Sequence, residues 1–231
     1  MLNILCGKSG CGKDTLLNEL KKDGFVPLIS TTSRPMRDGE QNGREYNFTT
    51  AEDFKARIAN GEFIEYRTYN TLVNGKPDIW YYGMPKQEFD KNTDYIVILD
   101  MGGAREFLNT YPKDDIFVCY IDTDDDLREA RASKRGGFDK TEWDRRAADD
   151  AVKFAEPVLQ ELTDARISNN SYTVEELKTI FYAAQGNYQL QMDMERQAKE
   201  FNDEEQYRID SENYADDADL MYDDDEEYEG I

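Results

Sequence analysis

Residues 7–15, Gly7-Lys8-Ser9-Gly10-Cys11-Gly12-Lys13-Asp14-Thr15, constrain this chain more than any other stretch. They follow a short apolar run, Leu2-Asn3-Ile4-Leu5-Cys6, and lead into the helix-like Thr15-Leu16-Leu17-Asn18-Glu19-Leu20. Strand, glycine loop, lysine, helix is the order in which a G-x-x-x-x-G-K match acts as a phosphate-binding loop. Glycines let successive backbone N–H groups curl around a polyphosphate without Cβ clashes, and the helix N-terminus adds its positive end. Lys13 would then bridge β- and γ-phosphate oxygens. A glycine turn capping an ordinary strand would use the same residue types, so the rest of the chain has to separate the two readings.

The position after the lysine usually carries a hydroxyl that ligates Mg²⁺. Here it is Asp14, with Thr15 one residue later. A carboxylate is a good ligand for a hard cation, directly or through water, but it adds negative charge beside a polyanion. Nucleotide binding is therefore expected to depend strongly on Mg²⁺.

Length and charge narrow the possibilities. A chain of 231 residues can hold one sizeable core with a small inserted subdomain. Cys6, Cys11 and Cys119 lack metal-like spacing, and Cys6 and Cys119 lie in apolar runs, so they read as buried reduced thiols of a cytoplasmic protein. Met1 opens directly onto the first strand, which leaves no room for a signal peptide. No apolar run approaches the roughly 18 residues of a membrane span. The chain has no histidine, which excludes histidine acid–base and nucleophilic chemistry. Phosphoryl transfer rests on positioning and charge stabilisation and does not need it. The net charge is −22, and residues 187–231 hold 17 acidic against 3 basic side chains. Such a balance argues against nucleic-acid binding and leaves residues 1–186 only mildly acidic.

Taken in order, the periodicity predicts an α/β fold: a parallel sheet flanked by helices, interrupted by a mixed α+β insertion. Phe25 to Ser30 reads as the second strand. Arg34 and Arg37 follow closely, held by Pro35 and a turn, with Tyr46 nearby. Guanidinium groups bind phosphate oxygens bidentately and a tyrosine hydroxyl adds a bond, although arginine pairs in loops are also common as plain solvated charge. Residues 50–60 read as an amphipathic helix stopped by Gly61, with Phe54 and Ile58 facing the core. Glu62 to Thr68 alternates as a strand, Asn74-Gly75 suits a hairpin turn, and Ile79 to Gly83 the returning strand. Residues 31–92 thus form the insertion, between core segments 1–30 and 93–186.

Tyr95 to Asp100 is a buried strand whose terminal carboxylate can orient Mg²⁺ or its water. Ile116 to Asp122 is another strand, and Asp124 to Lys134 a helix with acids first and bases last. Thr141 is placed to cap a helix running through Trp143, Arg145, Arg146 and Phe154, which Pro157 either kinks or follows by starting a new segment. Basic residues either side of Gly136-Gly137, over about residues 135–147, suit a mobile helical lid closing over phosphates; a solvated helical hairpin suits the same residues. Arg166 to Asn169 is a short last strand and Val174 to Ala184 the last helix. Residues 187–231 read as a disordered acidic tail, with at most a frayed helix over 187–212, serving either to dock a partner or only to solubilise.

Together these stretches resemble the guanylate kinase family over about residues 1–180. The family's S-x-T-T-R-x-P-R-x-G-E run is matched by Ser30-Thr31-Thr32-Ser33-Arg34-Pro35-Met36-Arg37-Asp38-Gly39-Glu40, with Gly43, Tyr46 and Phe48 in step. Gly61-Glu62-Phe63-Ile64-Glu65, Tyr81-Tyr82-Gly83, Arg131 with Arg135-Gly136, Arg145-Arg146 and Ser168-Asn169 follow in order. The likeness is greatest to the bacterial and phage branch whose loop ends G-K-D-T.

The resemblance implies ATP and Mg²⁺ as donor and metal, with Gly7 to Thr15 and Asn169 holding ATP. Asp14, Thr15 and Asp100 would organise the metal. Ser30, Arg34, Arg37, Tyr46, Glu65, Tyr82, Gly83 and Asp100 would hold the acceptor monophosphate, Ser30 and Glu65 at its base. Lys13, Arg131, Arg135 and Arg146 would act on the transferring group. Two departures touch the base: Met84 stands where the family has Ser or Thr, and Leu99-Asp100-Met101-Gly102-Gly103-Ala104 lacks the family's second aspartate. The expected activity is phosphorylation of GMP, dGMP or a related nucleotide. The alternative is a binding module that recognises a phosphorylated partner, as in guanylate-kinase-like scaffold domains; the intact loop and Lys13 favour the enzyme.

Overall fold

The computed structural model describes residues 1–37, 39–73, 76–134 and 138–220. It forms two compact units, Met1–Gln185 and Gly186–Ile231. The first unit is built on a five-stranded sheet in the order β2-β7-β1-β8-β9, parallel throughout. Its strands are β1 (Leu2–Cys6), β2 (Val26–Pro27), β7 (Tyr95–Ile98), β8 (Ile116–Asp122) and β9 (Ala165–Ser168). β1 is buried along its whole length and β8 all but its last residue, as continuous apolar runs must be when helices cover both faces. β2 is shorter than the apolar run 25–30 suggests. It lies at the sheet edge, where Pro27 has no N–H to offer, and after Leu28 donates to Ile96 O the chain departs for a second sheet.

That second sheet is the expected insertion. It has the order β4-β3-β6-β5, from β3 (Thr31–Thr32), β4 (Asn47–Phe48), β5 (Phe63–Val73) and β6 (Lys76–Pro85). β5 and β6 are antiparallel and longer than the alternation indicates; the turn residues Asn74 and Gly75 lie outside the described residues. α2 (Ala51–Ala59) is capped by Thr50, whose hydroxyl accepts the Asp53 N–H, and is followed by Gly61 at φ +68°. Phe54 stacks on Phe63 at 4.3 Å, tying the helix to the sheet.

The remaining helices are α1 (Lys13–Lys22), α3 (Met101–Thr110), α4 (Asp125–Ser133), α5 (Lys140–Lys153), α6 (Glu156–Leu162) and α7 (Val174–Leu220). α5 is capped by Asp139, not Thr141: the Asp139 carboxylate accepts the Glu142 N–H at 2.7 Å. Of the two expectations for Pro157 the new segment is the one seen: it lies in the first turn of α6, where its missing N–H costs nothing. Arg135, Gly136 and Gly137, the glycine hinge of the expected lid, lie outside the described residues.

In the second unit the helix continues to Leu220, into the stretch read as a disordered tail; residues 221–231 lie outside the described residues. Poverty in aliphatics removes a core but not helix propensity, since Glu, Gln, Lys, Arg, Met and Ala all favour helix. Pairs such as Gln191–Glu195 at 2.8 Å and Arg208–Glu205 at 2.7 Å add local support. Among the described residues no helix is long and apolar enough to cross a membrane.

Candidate active site

The glycine loop leaves β1 and enters α1 through its N-cap, Gly12, at a left-handed φ of +103° that favours glycine. Gly10, at φ +81°, has no room for a side chain: a Cβ there would lie 2.7 Å from the Arg128 carbonyl oxygen. One at Gly12 would meet Asn169 Nδ2 at 2.6 Å. Lys13 turns back over the loop, donating to Gly7 O at 2.6 Å and Lys8 O at 3.1 Å. Cys11 O accepts from Asn169 Nδ2 at 2.8 Å and from Thr123 Oγ1 at 3.2 Å, so the segments just after β8 and β9 brace the loop.

Two further residues hold the loop from the far side. Arg128, 2% exposed, donates to Ser9 O at 2.8 Å and to Asp125 at 2.7 Å, and reaches to 3.7 Å from Asp150. Asp150, on α5, accepts the Ser9 N–H at 2.6 Å. A negative oxygen therefore already sits on one of the loop amides. Lys8 lies 3.8 Å from Asp125.

Beside the loop opens a cleft of about 670 Å³ between the two sheets. Gly7, Lys13 and Arg146 line one side; Ser30, Arg37, Tyr46, Glu65, Tyr82 and Gly83 line the other, with Asp100 between. Tyr46 and Tyr82 meet edge to face at 5.8 Å. Gly83 is required by close packing, since a Cβ would come within 2.9 Å of Glu65 O and 3.0 Å of Phe54. A smaller hollow of about 270 Å³ collects Gly10, Gly12, Thr15, Arg131 and Asn169 with Tyr172. Arg131 donates through Nη2 to Asn169 O at 2.9 Å, and its buried Nη1 has no hydrogen-bond partner among the described residues.

Not every predicted residue faces the cleft. Arg34 is 4% exposed and spends its fork on Glu40, at 3.0 and 2.8 Å, under the rings of Tyr46 and Phe48 at 5.5 Å each. Hydrogen bonding to Glu40 pushes its pKa upward, so it is a permanent cation that braces the wall. Arg37 lines the cleft and makes no ion pair among the described residues. Asp14 and Thr15 are exposed in the first turn of α1, and Thr15 opens into the smaller hollow while Asp100 lines the cleft. Arg146 reaches Glu142 at 2.8 Å.

Asp100 is more constrained than a lone carboxylate at a strand end. It caps α3 by accepting the Gly103 N–H at 3.0 Å, takes both terminal nitrogens of Arg67, and has Lys153 Nζ at 3.3 Å. Burial pushes its carboxyl up, but the bonds from Arg67 and Gly103 and the nearby Arg67 and Lys153 charges prevail and hold it at about 2.

Arg67, Lys153, Asp150, Arg128 and Trp80 are site residues that sequence reasoning passed over. For Arg67 a signal existed: it is two residues from Glu65 in an alternating strand and must share its face. Trp80 shares a face with Tyr82 on β6 by the same rule, and its buried Nε1 has no partner among the described residues. Nothing local marks the other three.

The guanylate kinase family model matches residues 2–183. The chain belongs to the guanylate kinase family. The guanylate kinase of Carboxydothermus hydrogenoformans is 36% identical over 142 residues, covering 59% of this chain and 65% of that relative. That of Mycoplasmoides gallisepticum is 33% identical over 190 residues, covering 78% and 91%. The chain thus spans just under two thirds of the first relative and most of the second. The crystal structure of guanylate kinase from Anaplasma phagocytophilum superposes with a TM-score of 0.56 at 22% identity, covering 82% of this chain and 86% of that one. At that identity the likeness is one of fold, and it agrees with the parallel sheet and separate mixed sheet seen here.

Proposed function

We propose that this chain is a cytoplasmic nucleoside monophosphate kinase that transfers the γ-phosphoryl group of ATP to GMP, dGMP or a related nucleotide. One observation carries the reading. A single cleft joins the loop lysine, Lys13, to a wall holding two tyrosines and Arg37, an arginine with no ion pair among the described residues. That juxtaposition is what two phosphate-bearing substrates need in order to meet.

The loop amides bind the donor phosphates, and Arg131 and Asn169 border the hollow suited to the rest of the donor. Arg37, Tyr46 and Tyr82 hold the acceptor phosphate, with Arg34 bracing Tyr46 from behind. Ser30 and Glu65 face its base. Lys13, Arg131, Arg135 and Arg146 supply positive charge to the transferring oxygens. A phosphate oxygen is already a nucleophile, so no general base is required.

The residues fit a Mg²⁺ held jointly with phosphate. Asp14 and Thr15 offer exposed hard ligands, and no group of three or more metal-ligating residues occurs among the described residues to hold the ion alone. When bound, the metal would neutralise charge on the transferring phosphoryl group. Asp100, already paired with Arg67 and Lys153, would act on it only from a distance.

The test is ADP release with ATP and Mg²⁺, offering each ribo- and deoxyribonucleoside monophosphate. Turnover on GMP or dGMP is expected, lost without Mg²⁺ and lowered at least about 100-fold in Lys13→Ala. No turnover on any acceptor would overturn the proposal and favour a module that binds a phosphorylated partner.

A further inference from the structure

We propose that Arg67, acting with Glu65, reads the acceptor's base and selects one that carries a carbonyl beside a ring N–H. The inference rests on the cleft being the acceptor-nucleotide site.

Alternation along β5 puts Glu65, Arg67 and Tyr69 on one face, and the register sets Arg67 opposite Tyr82 on β6. All four line the cleft, so Arg67 stands in the same wall as the tyrosines assigned to the phosphate, next to the carboxylate assigned to the base.

Its guanidinium is held in place. Both terminal nitrogens bond to the Asp100 carboxylate, and Nε lies 3.4 Å from Glu65 Oε2. Asp100 is itself fixed by Gly103 N–H and Lys153. The order is therefore set on folding and not at the moment of binding. A guanidinium carries more N–H donors than one bidentate carboxylate consumes, so donors remain for the cleft. Its charge, in contrast, is largely balanced by Asp100. A phosphate dianion finds Arg37 instead, which makes no ion pair among the described residues, and the remaining Arg67 donors suit a neutral oxygen.

The surroundings leave room for that role. Met84 is fully buried in the apolar core and brings no hydroxyl to the base. Gly102 brings no side chain; a Cβ there would lie 3.6 Å from Arg67 Nη2 and 3.5 Å from Asp100 Oδ1. Arg67 occupies the edge beside this empty position.

A donor next to an acceptor complements a C=O next to an N–H. Guanine offers O6 and N1–H, and hypoxanthine offers the same pair. Adenine presents an amino donor and a bare ring nitrogen, which in the same orientation sets N–H against N–H. Sites built around a required hydrogen bond reject analogues that leave a polar group unpaired.

The experiment measures kcat/KM of the full-length protein for GMP, its 6-thio analogue and AMP, in the wild type, Arg67→Ala and Arg67→Lys. Sulfur accepts hydrogen bonds poorly while N1–H and the 2-amino group are kept. The wild type should prefer GMP to the thio analogue by about 10- to 100-fold, the worth of a hydrogen bond from a charged donor. Arg67→Ala should bring that ratio close to one and raise KM for GMP while leaving KM for ATP unchanged. Arg67→Lys keeps a charge beside Asp100 but loses the planar fork that bonds Asp100 and the base at once, so its ratio should fall as well, which tests the role if the alanine variant does not fold. GMP turnover with the ratio unaltered in the folded variants, or no preference in the wild type, overturns the role of Arg67 alone. No turnover on any monophosphate overturns the kinase reading and this one with it.

Discussion

Asp150 brings a carboxylate oxygen to the Ser9 amide at 2.6 Å, with Arg128 at 3.7 Å on its other side. A donor phosphate seeking that amide meets a like charge already in place. The two compete, and the expected outcome of Asp150→Ala is ATP binding tightened by about 2- to 10-fold, the worth of one such bond. The same change strips Arg128, 2% exposed, of a partner, so thermal unfolding should show a loss of about 1–3 kcal/mol. Isothermal titration and a melt separate the effects; unchanged or weaker ATP binding would mean the carboxylate shapes the loop and does not compete. None of this was legible in the sequence, because Ser9 and Asp150 are 141 positions apart. Arg67 was half legible: alternation assigns it to the face of Glu65, but Asp100, its main partner, comes from 33 positions away.

At the scale of elements, the glycine loop is braced by α4 through backbone contact. Gly10→Ala must bear a left-handed φ of +81° and also push a Cβ against the Arg128 carbonyl at 2.7 Å. Gly24→Ala bears a similar strain at φ +101° in open space. Strain alone costs about 1–3 kcal/mol, and the collision adds to it in the loop. Chemical denaturation should therefore rank Gly10→Ala as the more destabilised, and nucleotide binding should fail only there. Equal destabilisation with binding intact in both would show that α4 gives way. Most elements were marked by local rules, such as the strand runs and the helix over 50–60, but the cap of α5 was misplaced by two residues, at Thr141 where Asp139 serves. Where β2 stops and β5 and β6 extend depended on neighbours, and so was not marked.

Over the whole molecule, charge couples folding to pH. Asp100 is held at about 2 in the folded protein, below the usual carboxylate range. A depressed pKa stabilises the fold above its unfolded value and loses that contribution as pH falls, here between about 4 and 2. Relief of repulsion in a chain of net charge −22 works the opposite way over the same range. The cleanest reading is a difference: urea midpoints at about pH 5 and pH 3 should fall less in Asp100→Asn than in the wild type. An identical fall in both would mean Arg67 and Lys153 give Asp100 no net advantage in the fold.

The sequence by itself determined the glycine loop with its strand and helix, the alternation of strands and helices that builds the parallel sheet, and the insertion bearing Arg37, Tyr46, Glu65 and Tyr82. These depend on φ freedom, side-chain period and spacing within a few residues, all of which are local. Only the tertiary structure decided which charges are spent on each other. Arg34 went to Glu40, Arg67 and Lys153 to Asp100, and Asp150 to the loop, leaving Arg37 and Lys13 to face the cleft. Arg34 and Glu40 are six positions apart in one loop. Coulomb energy follows distance through space, and the other partners, far apart in the chain, become neighbours only when the two sheets and α5 come together.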